Sequence, residues 1–174
     1  MVLTDEMREI LRYLHNKKDY AIFAGFAAFL HTKVESSADI DIFVKSIKGV
    51  NNISKDFINA GWKQKSKKTD NSLFMCSTLE KNNTTFDIIF SKSAKETILP
   101  NKVKLPFNSY GLYVINKEAL FISKLLWLAS ENRPEEKIRR DKNVVNILRK
   151  NLNIKELRKI LVKMKDTFWK KGYL

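Results

Sequence analysis

The sequence predicts an α+β fold, a mixed sheet of about five strands with flanking helices and a C-terminal helical bundle. Three observations predict it. Short β-branched and aromatic runs recur through the first 115 residues, helical periods separate several of them, and the final third carries helical periods alone. Met7, Ile10, Leu11 and Leu14 recur at helical spacing behind Thr4 or Asp5, either of which can cap a first helix ending near Asn16. Tyr20–Ala24 is an apolar strand that Gly25 ends in a tight turn to a short helix over Ala27–His31. Ile40–Val44 is the second strand, and Val50–Ala60 a helix stopped by Gly61. Leu73–Thr78 and Thr84–Phe90 are strands joined by the polar turn Glu80–Asn83. Residues 91–109 contain Pro100 and Pro106 and no clear period, which predicts a long surface loop before a strand at Gly111–Ile115. Helices follow over Lys117–Ser130, Pro134–Lys150 and Ile154–Lys170, the second with Pro134 in its first turn and Glu135 and Glu136 at the positive end of its dipole. The expected organisation is an α/β core over residues 1–115 and a helical region over 116–174 packed on it as one unit.

With 174 residues, 44% of them hydrophobic, the chain can bury an ordinary core. Nothing approaches a twenty-residue uncharged run, so no membrane helix is expected, and the first residues lack a signal-peptide layout. The single cysteine, Cys76, allows no internal disulfide, and no His or Cys spacing suits zinc. A cytoplasmic protein is the expectation.

The chemistry-bearing residues are carboxylates. Asp39 and Asp41 stand two apart around an apolar strand and therefore share a face, while Ile40 and Ile42 share the other. Their Cα atoms are roughly 6.5 Å apart, close enough for both side chains to reach one ion. Phe86-Asp87-Ile88-Ile89-Phe90 places a third carboxylate inside a very apolar run. Three converging carboxylates require either a retained proton or a divalent cation, and hard oxygen ligands suit Mg²⁺ or Mn²⁺. Magnesium so held usually takes remaining ligands from substrate phosphates, which is phosphoryl or nucleotidyl transfer chemistry.

These residues resemble the DNA polymerase beta-type nucleotidyltransferase superfamily. The shared pattern is an apolar strand, Gly25, a short helix, then Ser37-x-Asp39-h-Asp41-h-x-Val44 (h apolar) and a later h-Asp87-h. The closest likeness is to small single-domain nucleotidyltransferases, including abortive-infection-type toxin enzymes. Ile115–Leu125, with its Lys124-Leu pair, and Arg139-Arg140-Asp141-Lys142 also resemble segments of theirs. The resemblance implies a nucleotidyltransferase-like sheet, with Asp39 and Asp41 as the metal-binding pair and Asp87 as the third acid that activates the acceptor hydroxyl. It implies that Gly25 lets backbone N–H groups approach the triphosphate, with Ser37 beside it. Lys124 would approach the phosphates, and Arg140 or Asp141 would stand in the pocket wall. Two positions depart from the pattern. Phe26 follows Gly25 where a second Gly or a Ser is usual against the phosphates, and Glu35 stands where an Arg is frequent.

A net charge of +14 predicts attraction to phosphate polymers. From Lys137 onward thirteen basic residues face only Asp141, Glu156 and Asp166. The last helix carries an apolar stripe of Ile154, Leu157, Ile160, Leu161, Met164 and Phe168. Lys63, Lys65, Lys67 and Lys68 surround Trp62, an arrangement that would suit a stacked base if the ring were exposed. The function expected is metal-dependent transfer of an NMP from an NTP to an acceptor hydroxyl, with RNA or tRNA as acceptor, as in the toxin-like enzymes. Phe26 and Glu35 motivate an alternative, a non-catalytic or partner-dependent polyanion-binding protein, for example one bound by an antitoxin-like subunit.

Overall fold

The computed structural model describes residues 3–34, 39–70, 73–129 and 133–169, the last six as backbone only. Helix α1 (Asp5–His15) starts where Thr4 accepts a hydrogen bond from the Met7 amide at 3.1 Å. Strand β1 (Tyr20–Phe23) leads into α2 (Ala24–Thr32), and β2 (Ile40–Val44) into α3 (Ile47–Asn59), which Ser46 caps. Three strands follow, β3 (Lys63–Asp70), β4 (Phe74–Lys81) and β5 (Thr84–Ser91). Then come α4 (Lys92–Thr97), a 3₁₀ turn, β6 (Lys102–Phe107) and β7 (Tyr110–Ile115). The chain closes with α5 (Lys117–Leu128), α6 (Glu135–Leu148) and α7 (Ile154–Trp169).

The sheet has seven strands in the order β3-β4-β5-β2-β1-β7-β6, two more than expected. Strand β3 escaped the sequence reading because it is an edge strand with almost every side chain in water, so its residues carry no apolar alternation. Strand β6 and helix α4 occupy what reads as a loop over 91–109; Pro106 is tolerated because β6 is the other edge. Hairpins β4–β5 and β6–β7 turn on Asn82-Asn83 and Asn108-Ser109, each pair with both φ values positive (47° and 62°, 42° and 68°). That is the backbone whose twist matches two-residue hairpins, and Asn tolerates it well.

One face of the sheet packs on α1 and α3. Tyr20, Ile22, Ile40, Ile42, Phe86 and Ile88 meet Met7, Ile10, Leu11, Leu14, Val50 and Phe57 there in a single buried cluster. Trp62 belongs to this cluster: it is 2% exposed, edge-on to Phe57 at 5.3 Å between ring centroids. Trp62 is therefore a core residue, and among the lysines of the basic strand its ring offers no stacking face. The other face carries α2 on β1 and β2 and α4 on β2 and β5; α5 and α6 pack on α2 and on each other, and α7 lies against α4 and α5. In α7 only Ile160 of the predicted stripe is deeply buried; Ile154 and Leu161 are exposed, and Met164 and Phe168 lie beyond the described side chains. Among the described residues no helix is long and apolar enough to cross a membrane.

Candidate active site

Parallel pairing of β2 with β5 sets the site. Asp41 is in register with Asp87, one inter-strand spacing away, and both side chains leave the face opposite the α1–α3 core. Asp39 precedes β2 by one residue on the same face, where Thr85 of β5 donates its hydroxyl hydrogen to Asp39 Oδ1. The two strands are otherwise hydrophobic on the buried side (Ile40, Ile42, Phe86, Ile88), so register is fixed by the core, and the carboxylates are brought together as a consequence.

That convergence is electrostatically unfavourable without a counter-ion. The Asp41 carboxyl is pushed up to about 7, first by burial and then by the charges of Asp87 and Asp39, against which Lys124 pulls down. Asp87 Oδ1 is buried and, among the described residues, has no hydrogen-bond partner. An orphaned oxygen beside a carboxyl that holds its proton near neutrality is what a divalent cation would relieve, so the residues present fit one. Among the described residues no three His, Cys, Asp or Glu side chains close on an ion as they stand. The close pair is Asp41–Asp87, and the Asp39 oxygen held by Thr85 would have to turn toward it.

The positive side of the site comes from α5 and α6. Lys124 is 3% exposed and its ammonium lies 2.6 Å from Asp141, itself buried, with Trp127 beneath the charge at 5.0 Å. Burial holds the Lys124 amine below the usual lysine range, the Asp141 bond and charge raise it, and Arg140 and Arg133 lower it further. Arg133, just before α6, places Nη2 2.8 Å from Asp141 Oδ2. Its other terminal nitrogen, Nη1, is buried without a hydrogen-bond partner among the described residues. Leu125 and Leu126 of the same helix are exposed (43% and 49%), so the helix buries a lysine where apolar periodicity predicts its leucines inside.

The strand–helix turn differs from expectation by one residue. Ala24, not Gly25, has left-handed backbone (φ 57°), and Gly25 is the second residue of α2. Ala24-Gly25 thus stands where the resemblance leads one to expect Gly-Gly. Both are partly exposed, and among the described residues α2 has no side-chain cap and no acid in its first turn, so its positive dipole end carries no acidic side chain there. Phe26 is a correction: it is fully buried and edge-on to Phe107 at 5.6 Å, so its ring lies in the core rather than facing a phosphate. It therefore does not displace a phosphate-facing residue. An alanine in this backbone region costs about 1–2 kcal/mol, offset by the lower chain entropy alanine has when unfolded. Ala24→Gly is accordingly expected to melt no lower than the natural chain in urea, with a gain of about 0.5 kcal/mol.

Cys76 and the histidines also resolve. Cys76 is half-buried on the carboxylate face rather than in the core, opposite Ile89. His31 Nε2 bonds the Ile115 carbonyl at 2.8 Å and His15 Nδ1 accepts from the Gly111 amide at 3.1 Å, so both pin β7 to helices. Ser37 and Glu35 lie outside the described residues. Beside Asp41, its β1 partner Phe23 stacks on Phe43 at 4.1 Å, and with Trp127, Ile98 and Leu126 they line a pocket of about 180 Å³. A larger cavity of about 840 Å³ opens at the far end of β2, around Lys45 and Ser46, and includes none of the three site carboxylates.

No family model matches the sequence, and no curated protein is similar to it. Solved structures are. ANT(2")-Ia, solved in complex with adenylyl-2"-tobramycin, superposes with a TM-score of 0.63 at 10% identity, over 95% of this chain and 99% of that one. The fold is that of the nucleotidyltransferases. An antigenic nucleotidyltransferase-like protein from Paracoccidioides brasiliensis agrees, with a TM-score of 0.56 at 14% identity over 99% of this chain and 92% of its own. So does a candidate nucleotidyltransferase from Thermotoga maritima, at 0.53 and 13% over 86% and 97%. Of the residues the sequence singles out, the fold brings together Asp39, Asp41, Asp87 and Lys124, and Arg140 stands near enough to Lys124 for its charge to lower that amine. Sequence reasoning missed Ala24, Thr85 and Arg133. Thr85 was the findable one, since a hydroxyl two before Asp87 on a strand must share its face.

Proposed function

We propose that the chain is a metal-dependent nucleotidyltransferase, moving an NMP from an NTP to an acceptor hydroxyl. The observation that carries this reading is the in-register Asp41–Asp87 pair, with one carboxyl pushed up to about 7 and the other presenting a buried, unpartnered oxygen. Asp39, Asp41 and Asp87 would hold Mg²⁺ or Mn²⁺, which when bound supplies charge neutralisation for the reacting phosphate and the departing pyrophosphate. The N–H groups at the start of α2, past the partly exposed Ala24-Gly25, receive the triphosphate's anionic oxygens. Lys124 and Arg140 add positive charge on the opposite wall. Asp87 Oδ1 accepts the proton of the acceptor hydroxyl as its oxygen attacks the α-phosphorus and pyrophosphate leaves. The aromatic pocket of Phe23, Phe43 and Trp127 is mostly apolar, which suits a base.

An RNA acceptor is supported by the net charge of +14; a toxin-like role rests on the sequence resemblance alone. The alternative of a binding-only protein loses its main motive, because Phe26 is in the core.

Thermal melting with each NTP and Mg²⁺, then with EDTA, tests the proposal. A nucleotide at a hundred times its Kd stabilises by about 2.7 kcal/mol, or roughly 5–10 °C for a domain of this size. The expected result is a shift of that order for at least one NTP, abolished by EDTA. No shift with any NTP would overturn it.

A further inference from the structure

The carboxylates lie at one end of a polar track crossing the β5–β4–β3 part of the sheet, on the side opposite α3. Residues paired across strands share a face. Asp41 pairs with Asp87, Asp87 with Thr78 and Thr78 with Ser66, which makes one row across β2, β5, β4 and β3. The next row is Phe43, Ile89, Cys76 and Lys68; on the other side, Thr85, Glu80 and Lys63 continue from Asp39. Ser66, Cys76 and Thr78 are half-buried and Lys63 and Lys68 exposed. Helix α3 covers the reverse side of β3 and β4, where Met75, Ser77 and Leu79 are buried.

A bulge in β3 decides where its lysines emerge. Simple alternation would put Lys63, Lys65 and Lys67 on one face and Lys68 alone on the other. The register instead shifts between Gln64 and Ser66, leaving Lys65 without a partner on β4. Lys63 then pairs with Glu80, Lys65 reaches the same Glu80 at 3.3 Å, and Lys68 pairs with Cys76. All three belong to the track, and only Lys67 goes to the α3 side, where it bonds Asn51 at 3.0 Å. Bulges commonly re-aim side chains in this way.

We infer that this track seats the acceptor, and that the acceptor is the end of an RNA strand. Its terminal ribose hydroxyl sits at Asp87 and its phosphodiesters meet Lys63, Lys65 and Lys68. Two inter-strand spacings, roughly 10 Å, separate Asp87 from β3, so the phosphates engaged are those of nucleotides behind the reacting one. An uncharged small acceptor would use the hydroxyl end and leave the three lysines without a ligand. The inference rests on the transfer reading above and specifies its second substrate.

The test compares two triple variants of the full chain, Lys63→Gln/Lys65→Gln/Lys68→Gln and, as a charge-matched control around the remote cavity, Lys18→Gln/Lys48→Gln/Lys55→Gln. A fluorescent short single-stranded RNA is titrated by anisotropy over a salt series, and NTP–Mg²⁺ melting is run in parallel. For single strands each phosphate contact contributes about 0.7 to the log–log salt slope, so the track variant should lose about 2 from that slope and at least tenfold in affinity at low salt. The control should lose much less, and both variants should keep the nucleotide melting shift. Equal losses in the two variants, an unaffected track variant, or a natural protein that ignores the RNA each overturn the track. Track-dependent RNA binding without any nucleotide shift overturns the transfer reading instead and leaves the track as an RNA-binding surface.

Discussion

Asp41→Asn is expected to abolish nucleotidyl transfer while making the metal-free protein more stable. The two effects share a cause. Asp41 is pushed up to about 7, first by burial and then by the charges of Asp87 and Asp39. An isosteric amide removes one of three converging charges, and with it a ligand the others need. Transfer to any acceptor should fall by three orders of magnitude or more, given that charge stabilisation by a bound cation is worth several kcal/mol. The nucleotide-dependent melting shift should vanish with it.

The sign of the stability effect follows from linkage. A carboxyl with a folded-state pKa above its unfolded value binds its proton more tightly when folded, so the natural chain loses stability as pH rises through the interval between them. Below about pH 3 the group is largely protonated in both states and the variant gains nothing; near pH 4 the unfolded chain is already about half ionised and the advantage begins. As pH rises toward 7 the unfolded chain ionises and the folded one resists, so the variant's advantage grows; above about 7 it levels off. Because Asp41 keeps some contact with solvent, an advantage of roughly 2 kcal/mol at pH 8 is expected, less than the full shift would give. Urea titrations in EDTA from pH 4 to 8 measure it. A variant less stable than the natural chain at pH 8 would show that Asp41 is structurally satisfied there, and the strained-carboxylate account would fail.

What the sequence reveals and conceals follows the same physics. Strand β2 and the pairing of two carboxylates on one face were legible to the residue, because a buried strand imposes strict alternation on Ile40, Ile42 and Val44. Strand β3 was hidden because an edge strand with lysines on both faces has nothing apolar to alternate. The turn before α2 was read one residue late, since glycine is the expected bearer of positive φ and here an alanine bears it. The same one-residue shift moves Phe26 away from the phosphate-facing position the resemblance implies, since each helical residue turns its side chain by about 100°. The burial of Lys124 beneath exposed Leu125 and Leu126 could not be read from periodicity, which treats lysine as a surface residue. It requires knowing that Asp141, seventeen residues on, arrives at 2.6 Å.

That buried cluster gives the largest stability effect expected in the molecule. Asp141 is fully buried and faces Lys124 at 2.6 Å and Arg133 at 2.8 Å, two cations held by one carboxylate. Asp141→Ala leaves the 3%-exposed Lys124 ammonium buried without its counter-charge and takes the partner from Arg133, which should cost about 3–5 kcal/mol, enough to unfold a marginal domain. Lys124→Met should cost far less, because Arg133 still neutralises Asp141 and the aliphatic part of the side chain is replaced by a similar volume. The double variant Lys124→Met/Asp141→Leu should recover part of the loss, since a buried ion pair exchanged for apolar residues is frequently neutral; Arg133, the more exposed cation, can then turn toward water. The catalytic consequences diverge from the stability ones. Lys124 lowers the proton affinity of Asp41, so its removal should shift the pH dependence of Mg²⁺-supported melting upward even where the fold survives. A Lys124→Met protein with an unaltered pH profile would confine the cluster to a structural role. An upward shift would instead establish that the α5–α6 charge network prepares Asp41 to give up its proton.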